Sequence, residues 1–171
     1  PTLETQRLRL VAPEERHVPG EEAFWPSDQA RFVGGPMPAF RVWRLLATWR
    51  GHWELRGYGS WALEEKETGA HVGLAGFWHP GEWPECELGY HVFEEHTGKG
   101  YVTEACRRIL AHGFEDLGFA TMTSFIDPEN AASQAVAIRL GAVNTHQTFQ
   151  ALPDGPAVDI WRYPHPGEAT A

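Results

Sequence analysis

The sequence is poor in cysteine, in blocks of like charge and in long apolar runs, and each shortage removes a class of protein. Its two cysteines, Cys86 and Cys106, stand in no metal-ligand spacing. That argues against a thiolate metal site or a disulfide scaffold and for reduced thiols in a reducing cytoplasm. No run of Lys or Arg interrupts a net charge of −9, so a nucleic-acid partner held through phosphate contacts is not expected. No apolar stretch approaches the ~20 residues of a membrane span, and no signal peptide opens the chain, so the protein reads as soluble and cytoplasmic, without a membrane partner. There is no complete GxGxxG and no GxxxxGK[ST], which leaves a nucleotide enzyme weakly supported. Repeats and low-complexity segments are missing too. At 171 residues the chain suits one domain, 1–171, with a frayed tail over 165–171.

What is present centres on the stretch from Glu87 to Leu117. Leu88, Tyr90 and Val92 alternate with Glu87, Gly89, His91 and Phe93, the pattern of a strand. After Gly98 and Gly100 the period changes. Val102, Ala105, Cys106, Ile109, Gly113, Phe114 and Leu117 recur at helical steps, and Gly118 follows as a C-terminal signal. A helix starting near Gly100 offers unpaired N–H groups and a positive dipole end, and the glycines keep Cβ atoms out of the way. The run from Glu95 to Tyr101 therefore suits a pyrophosphate, although glycines alone equally make a plain turn.

Gly98-Lys99-Gly100-Tyr101-Val102-Thr103-Glu104-Ala105, preceded by Glu87-Leu88-Gly89-Tyr90, resembles the acetyl-CoA signature of GCN5-related N-acetyltransferases (GNAT), most closely the RimJ/RimL-type branch. Asn130-Ala131-Ala132-Ser133 with Leu140-Gly141 resembles that branch's second motif, and Thr5 to Leu10 its opening strand. The resemblance spans nearly the whole chain. It implies acetyl-CoA as co-substrate, no metal, and a primary-amine acceptor, either a protein or peptide N-terminus or a small amine. It also implies a mixed, mostly antiparallel α/β sheet flanked by helices. That sheet is splayed between the strand ending near Phe93 and the strand over Ala120 to Ile126, and the pantetheine arm lies in the gap.

The flanking chain agrees with that class. Arg7 to Val11 alternates as a strand, Ser60 to Glu65 and His71 to Trp78 form a hairpin turning at Gly69, and Val143 to Ala151 with Val158 to Tyr163 form another around Pro153 to Pro156. Prolines limit the segment before Pro38 to a short helical piece around Glu21 to Phe32, and Ala39 to Leu55 shows Phe40, Trp43, Leu46 or Ala47, and Arg50 at helical steps. Asn130 is a good N-cap for a helix ending at Gly141. Six of the eight tryptophans precede residue 80. They serve a core, an acceptor cleft or the contact of a homodimer.

Acetyl transfer needs a neutral amine, a polarised thioester carbonyl and a proton for the leaving thiolate. A backbone N–H from Val92, Phe93 or Glu94 at the open strand end suits the carbonyl. Glu87 and His91 project from one face of the strand, and Glu87 is the candidate base; it reads equally as a solvated carboxylate, and His91 as a structural histidine. Glu104 reads as a first-turn carboxylate favoured by the helix dipole. The superfamily's usual tyrosine acid falls on Ala137, whereas the branch's serine pattern falls on Ser133. The resemblance thus implies Ser133 at the cofactor sulfur and Asn130 on the pantetheine amides; the residues alone also read as a helix cap and a first-turn serine. The cofactor contacts implied run over Val92, Phe93, Glu94, Glu95, Gly98, Lys99, Gly100, Tyr101, Val102, Asn130 and Ser133. One departure stands out: Glu95 replaces the family's common Arg or Gln, placing a carboxylate near a pyrophosphate, with Lys99 to offset it. Glu95 and the missing tyrosine keep a non-catalytic acyl-CoA-binding or interaction module as the alternative to an enzyme.

Overall fold

Eight strands hydrogen-bond in the order β1-β2-β3-β4-β5-β6-β8-β7 in a computed structural model that describes residues 1–81, 83–150 and 155–166. They are β1 (Leu3–Glu4), β2 (Leu8–Val11), β3 (Ser60–Glu65), β4 (His71–Trp78), β5 (Glu87–Val92), β6 (Met122–Ile126), β7 (Val143–Phe149) and β8 (Val158–Tyr163). The β3–β4 hairpin has the expected bounds, with Gly69 at φ 73° in its turn. Every neighbouring pair runs antiparallel except β5 with β6. Those two are joined through a helix, and their ladder has one register pair, Glu87 with Thr123, against six between β4 and β5. The sheet is splayed where the resemblance implies.

That connecting helix, α3 (Tyr101–Ala111), runs on through a wider helical turn at His112–Asp116. Val102, Ala105, Cys106 and Ile109 are buried with Leu8, Trp61, Leu63 and Leu88, so the stripe read from the sequence is the one that packs on the sheet. Gly113 belongs to that stripe for lack of room: a Cβ there would meet the Met122 Sδ at 2.8 Å and Phe77 Cζ at 2.9 Å. Both cysteines are buried free thiols.

The opposite face carries α1 (Val18–Phe24) and α2 (Val42–Arg56), and it departs from expectation. Helix α1 begins before Glu21 because Pro19 falls in the first turn, where no N–H is needed. The remainder of the expected piece is a separate 3-10 turn, Asp28–Phe32, capped by Ser27. Helix α2 buries Val42, Leu46 and Trp49, while Phe40 and Trp43 are 66% and 53% exposed. Two overlapping apolar stripes run through that segment, and contact with α1, Leu74 and Phe93 selects the one containing Val42. The final helix, α4 (Ala131–Arg139), starts at Asn130 and is followed by Gly141 at φ 84°. The turn expected at Pro153 to Pro156 falls partly, and the expected tail over 165–171 mostly, outside the described residues. No helix among the described residues is long and apolar enough to cross a membrane.

Candidate active site

The fork between β5 and β6 begins at Glu87. Thr123 donates its N–H to the Cys86 carbonyl at 3.1 Å, and Ser124 Oγ donates to the Leu88 carbonyl at 2.6 Å. No further backbone pair joins these strands. Phe93 donates its N–H to Val72 O on β4, so alternation along an antiparallel ladder turns the N–H and C=O groups of Tyr90 and Val92 to the other edge, into the fork. Val92 thus offers the donor expected of this strand end. Phe93 does not: its N–H is committed to Val72, its carbonyl accepts from His96 N, and its ring is buried beside Phe24. Glu94 lies beyond the strand, its carboxylate accepting from Gln29 Nε2 at 3.2 Å.

The turn into α3 has the conformation its glycines foretell. Gly98 and Gly100 sit at φ 72° and 80°, which side chains rarely adopt, and a Cβ on Gly98 would meet nothing within 4 Å. The first bond into the helix runs from Glu104 N to Gly100 O, leaving the N–H groups of Tyr101, Val102 and Thr103 without intrahelical acceptors. Tyr101 and Val102 are buried, so they present backbone rather than side chain to this concavity. Lys99 is exposed, and its ammonium lies 6.0 Å from the Tyr101 ring centre. Glu95 is 70% exposed, and the His96 ring stands 4.0 Å away. Pointing to water, it is screened from the turn.

Glu104 is a structural carboxylate. It accepts from Thr5 Oγ1 at 2.6 Å, Arg7 N at 2.8 Å and Arg7 Nε at 2.7 Å; partial burial works to raise its pKa, but these bonds and the Arg7 charge hold it below the ordinary value. The Arg7 guanidinium, so fixed, also donates to Lys99 O at 2.8 Å and lies over the Tyr101 ring. A cation from the first strands therefore stands at the glycine turn, a placement no motif announced.

Across the fork, Asn130 caps α4 by accepting from Ser133 N at 3.1 Å, while its amide donates to Ser133 Oγ at 3.0 Å. The Ser133 hydroxyl accepts there and keeps its own proton to donate elsewhere. Tyr90, from β5, donates its phenol to the Ser133 carbonyl at 3.2 Å, and burial keeps that phenol protonated. Ala137, at the superfamily's tyrosine position, is fully buried.

Glu87, at the vertex, is the perturbed acid of the site. Burial pushes its pKa up to about 7, and donation from Trp83 Nε1 at 2.7 Å only partly opposes this. Beside it the strand is bare: a Cβ on Gly89 would meet the Glu87 Oε1 at 3.9 Å and nothing nearer. His91, the next residue but one on that face, is closed off instead, stacked on Phe24 at 4.3 Å and donating to Glu21 at 2.9 Å. Sequence reading missed Arg7, Tyr90 and Trp83. Tyr90 could have been reached from strand alternation; the other two carried no local signal. Among the described residues no group of three or more His, Cys, Asp or Glu side chains could hold a metal.

Residues 7–143 match the family model described as an acetyltransferase (GNAT) domain. The uncharacterised protein YkkB of Bacillus subtilis (strain 168) is 38% identical over 150 residues, covering 81% of this chain and 83% of that protein. The crystal structure of an acetyltransferase from Agrobacterium tumefaciens str. C58 superposes with a TM-score of 0.84 at 32% identity, covering 95% of this chain and 94% of that one. RimL, a ribosomal L7/L12 alpha-N-protein acetyltransferase solved in complex with coenzyme A, shares the fold with a TM-score of 0.78 at 18% identity, covering 95% of this chain and 97% of its own.

Proposed function

The chain belongs to the GNAT acetyltransferase family, and from that premise we propose that residues 1–171 form one unit that acetylates a primary amine by direct attack in a ternary complex. The observation that carries this reading is the position of Glu87, a carboxyl titrating near neutrality at the point where β5 and β6 part. The residues fit acetyl-CoA. The left-handed glycines and the free N–H groups of Tyr101 to Thr103 make a concavity for a pyrophosphate, with Arg7 and Lys99 supplying positive charge, and the fork leaves a slot beside Val92. When bound, acetyl-CoA supplies the activated acetyl thioester. Val92 N–H is positioned to polarise a carbonyl in the fork. Glu87 takes the proton from the acceptor ammonium, a role suited to a base whose pKa lies near the working pH. Ser133 Oγ–H donates to the departing sulfur, and the Asn130 amide keeps the hydroxyl oriented for it. The acceptor is an N-terminus or a small amine.

Calorimetric titration with acetyl-CoA, set beside a Gly98→Glu, Gly100→Glu double variant, tests the cofactor half of this reading. Saturable binding lost in the variant is expected; binding retained in it would move the pyrophosphate elsewhere. Release of free CoA in the presence of a primary amine tests the catalytic half. Ser133→Ala lowering the rate at saturating cofactor by less than about twofold would remove Ser133 from the mechanism.

A further inference from the structure

Three aromatic rings on the Glu87 side of the sheet, the first of them bonded to its carboxylate, belong to neither packed core. Trp83 lies in the loop before β5, Phe125 on β6 and Phe149 at the end of β7. Trp83 meets Phe149 edge to face at 5.3 Å, Phe149 meets Phe125 at 4.7 Å, and Trp83 stands 6.5 Å from Phe125. All three are partly exposed, and none belongs to either hydrophobic cluster of the fold. Pairing of β6 and β7 with β8 brings Phe125 and Phe149 together, and the partly exposed rings form an apolar surface suited to a contact with something outside the chain.

The sheet register says where that surface faces. Phe125 is two residues beyond Thr123, the partner of Glu87, and so shares a face with Glu87 and Gly89. On that face Gly89 leaves the floor bare, and Trp83 bonds the carboxylate itself. An amine delivered to Glu87 over Gly89 therefore has rings flanking the carbon atoms next to its nitrogen. Ring faces attract the ammonium before it is deprotonated and cover an apolar substituent afterwards.

We propose that Trp83, Phe125 and Phe149 form the specificity wall of the acceptor site, selecting a primary amine that carries a ring or a comparably large apolar group within two carbons of its nitrogen. The inference rests on the assignment of Glu87 as the acceptor's base. A free arylalkylamine and a polypeptide beginning with an aromatic residue present the same chemistry.

The test compares phenethylamine with ethylamine, and a peptide beginning with Phe with one beginning with Ser, by CoA release and by calorimetric binding to the protein–CoA complex. The ring-bearing member of each pair should be favoured about tenfold or more, in kcat/KM and in affinity. Phe149→Leu and Phe125→Leu, which keep apolar volume, should cut that ratio below about threefold while the acetyl-CoA Kd stays put. Trp83→Phe should keep the ratio, since it keeps a ring, and Trp83→Ala should lose it. A higher kcat/KM for the Phe peptide than for phenethylamine assigns the acceptor to a polypeptide N-terminus, and the reverse order to a small amine. A ratio near one in the parent protein, or one unmoved by Phe149→Leu and Phe125→Leu, overturns the proposal. Ring-selective binding without CoA release would instead retain the wall and remove the catalytic role of Glu87.

Discussion

Glu21 and Glu87 are carboxylates held against one face of β5, four residues apart in their points of contact, and their surroundings drive them in opposite directions. Glu21, 1% exposed, accepts from His91 Nε2 at 2.9 Å and Trp25 Nε1 at 2.9 Å, with His71 Nε2 at 3.5 Å. Burial works to raise its pKa, yet His91, His71 and the indole together bring it below the ordinary value. Glu87 has the Trp83 indole for its donor, and burial wins, carrying it to about 7. Enclosure by itself therefore does not make a carboxylate reactive. What separates the two is the number of donors and the space beside them: Glu21 is bonded by Trp25 and by His91, whose ring packs on Phe24, Trp25 and Trp49, whereas Glu87 looks onto bare strand at Gly89. The first ties α1 to the sheet; the second keeps an open side.

Replacing each carboxylate separates the roles most sharply. Glu87→Gln should lower kcat on the order of 100-fold or more, the usual worth of a positioned base, with the acetyl-CoA Kd unchanged. A loss under about threefold would return Glu87 to a structural role. Glu21→Ala should leave His91 buried without its acceptor and cost roughly 3–5 kcal/mol in urea unfolding, as breaking one side of a buried pair does. Stability unchanged within about 1 kcal/mol would mean that α1 is held by its apolar contacts alone.

The two carboxylates also predict opposite slopes of stability against pH. The folded pKa of Glu21 lies below its unfolded value near 4.5, so its contribution is present above that pH and is lost as pH falls through the folded value. His71, held by burial at about 4 against 6.5 unfolded, adds to this acid loss, because the unfolded chain takes up its proton first, between about 6.5 and 4. For Glu87 the sign reverses. The folded state binds its proton more tightly, so stability falls as pH rises from about 4.5 through about 7, and Glu87→Gln should remove that fall. Urea midpoints measured from pH 4 to 8 would show both slopes.

A subtler change tests the donor count directly. Trp83→Phe removes an indole N–H that favours the ionised form of Glu87, so the rise of kcat/KM with pH, expected near pH 7, should move upward. A profile that stays in place would detach Trp83 from the proton transfer. The smallest effect is expected from Glu95→Gln: with its side chain 70% exposed, the acetyl-CoA Kd should change by less than about twofold. A larger gain in affinity would show that the carboxylate reaches the pyrophosphate after all.

Much of this arrangement was legible in the chain, and the parts that were share a cause. The left-handed glycines of the β5–α3 turn, the Asn130 cap, the β3–β4 hairpin and the stripe of α3 are fixed within a few residues by φ, by capping bonds and by period. Those local rules sufficed to find the family and the frame of the site. They failed where two local readings were equally good, as on α2, whose two apolar stripes are separated only by what α1 and Leu74 offer to bury. They failed too at Phe93, where only the pairing with β4 shows that its N–H is already committed.

The sequence by itself determined a strand, a glycine turn and a helix with a phosphate-sized set of free N–H groups, because backbone conformation and helix ends are short-range properties. Only the tertiary structure decided which acid is braced by several donors and which is left with a raised pKa. It alone set Arg7 at the turn, 92 positions from Lys99, and gathered Phe125 and Phe149 beside Trp83, the donor to Glu87. A proton affinity is set by the dielectric and the donors that surround a group, and here those come from segments far apart in the chain.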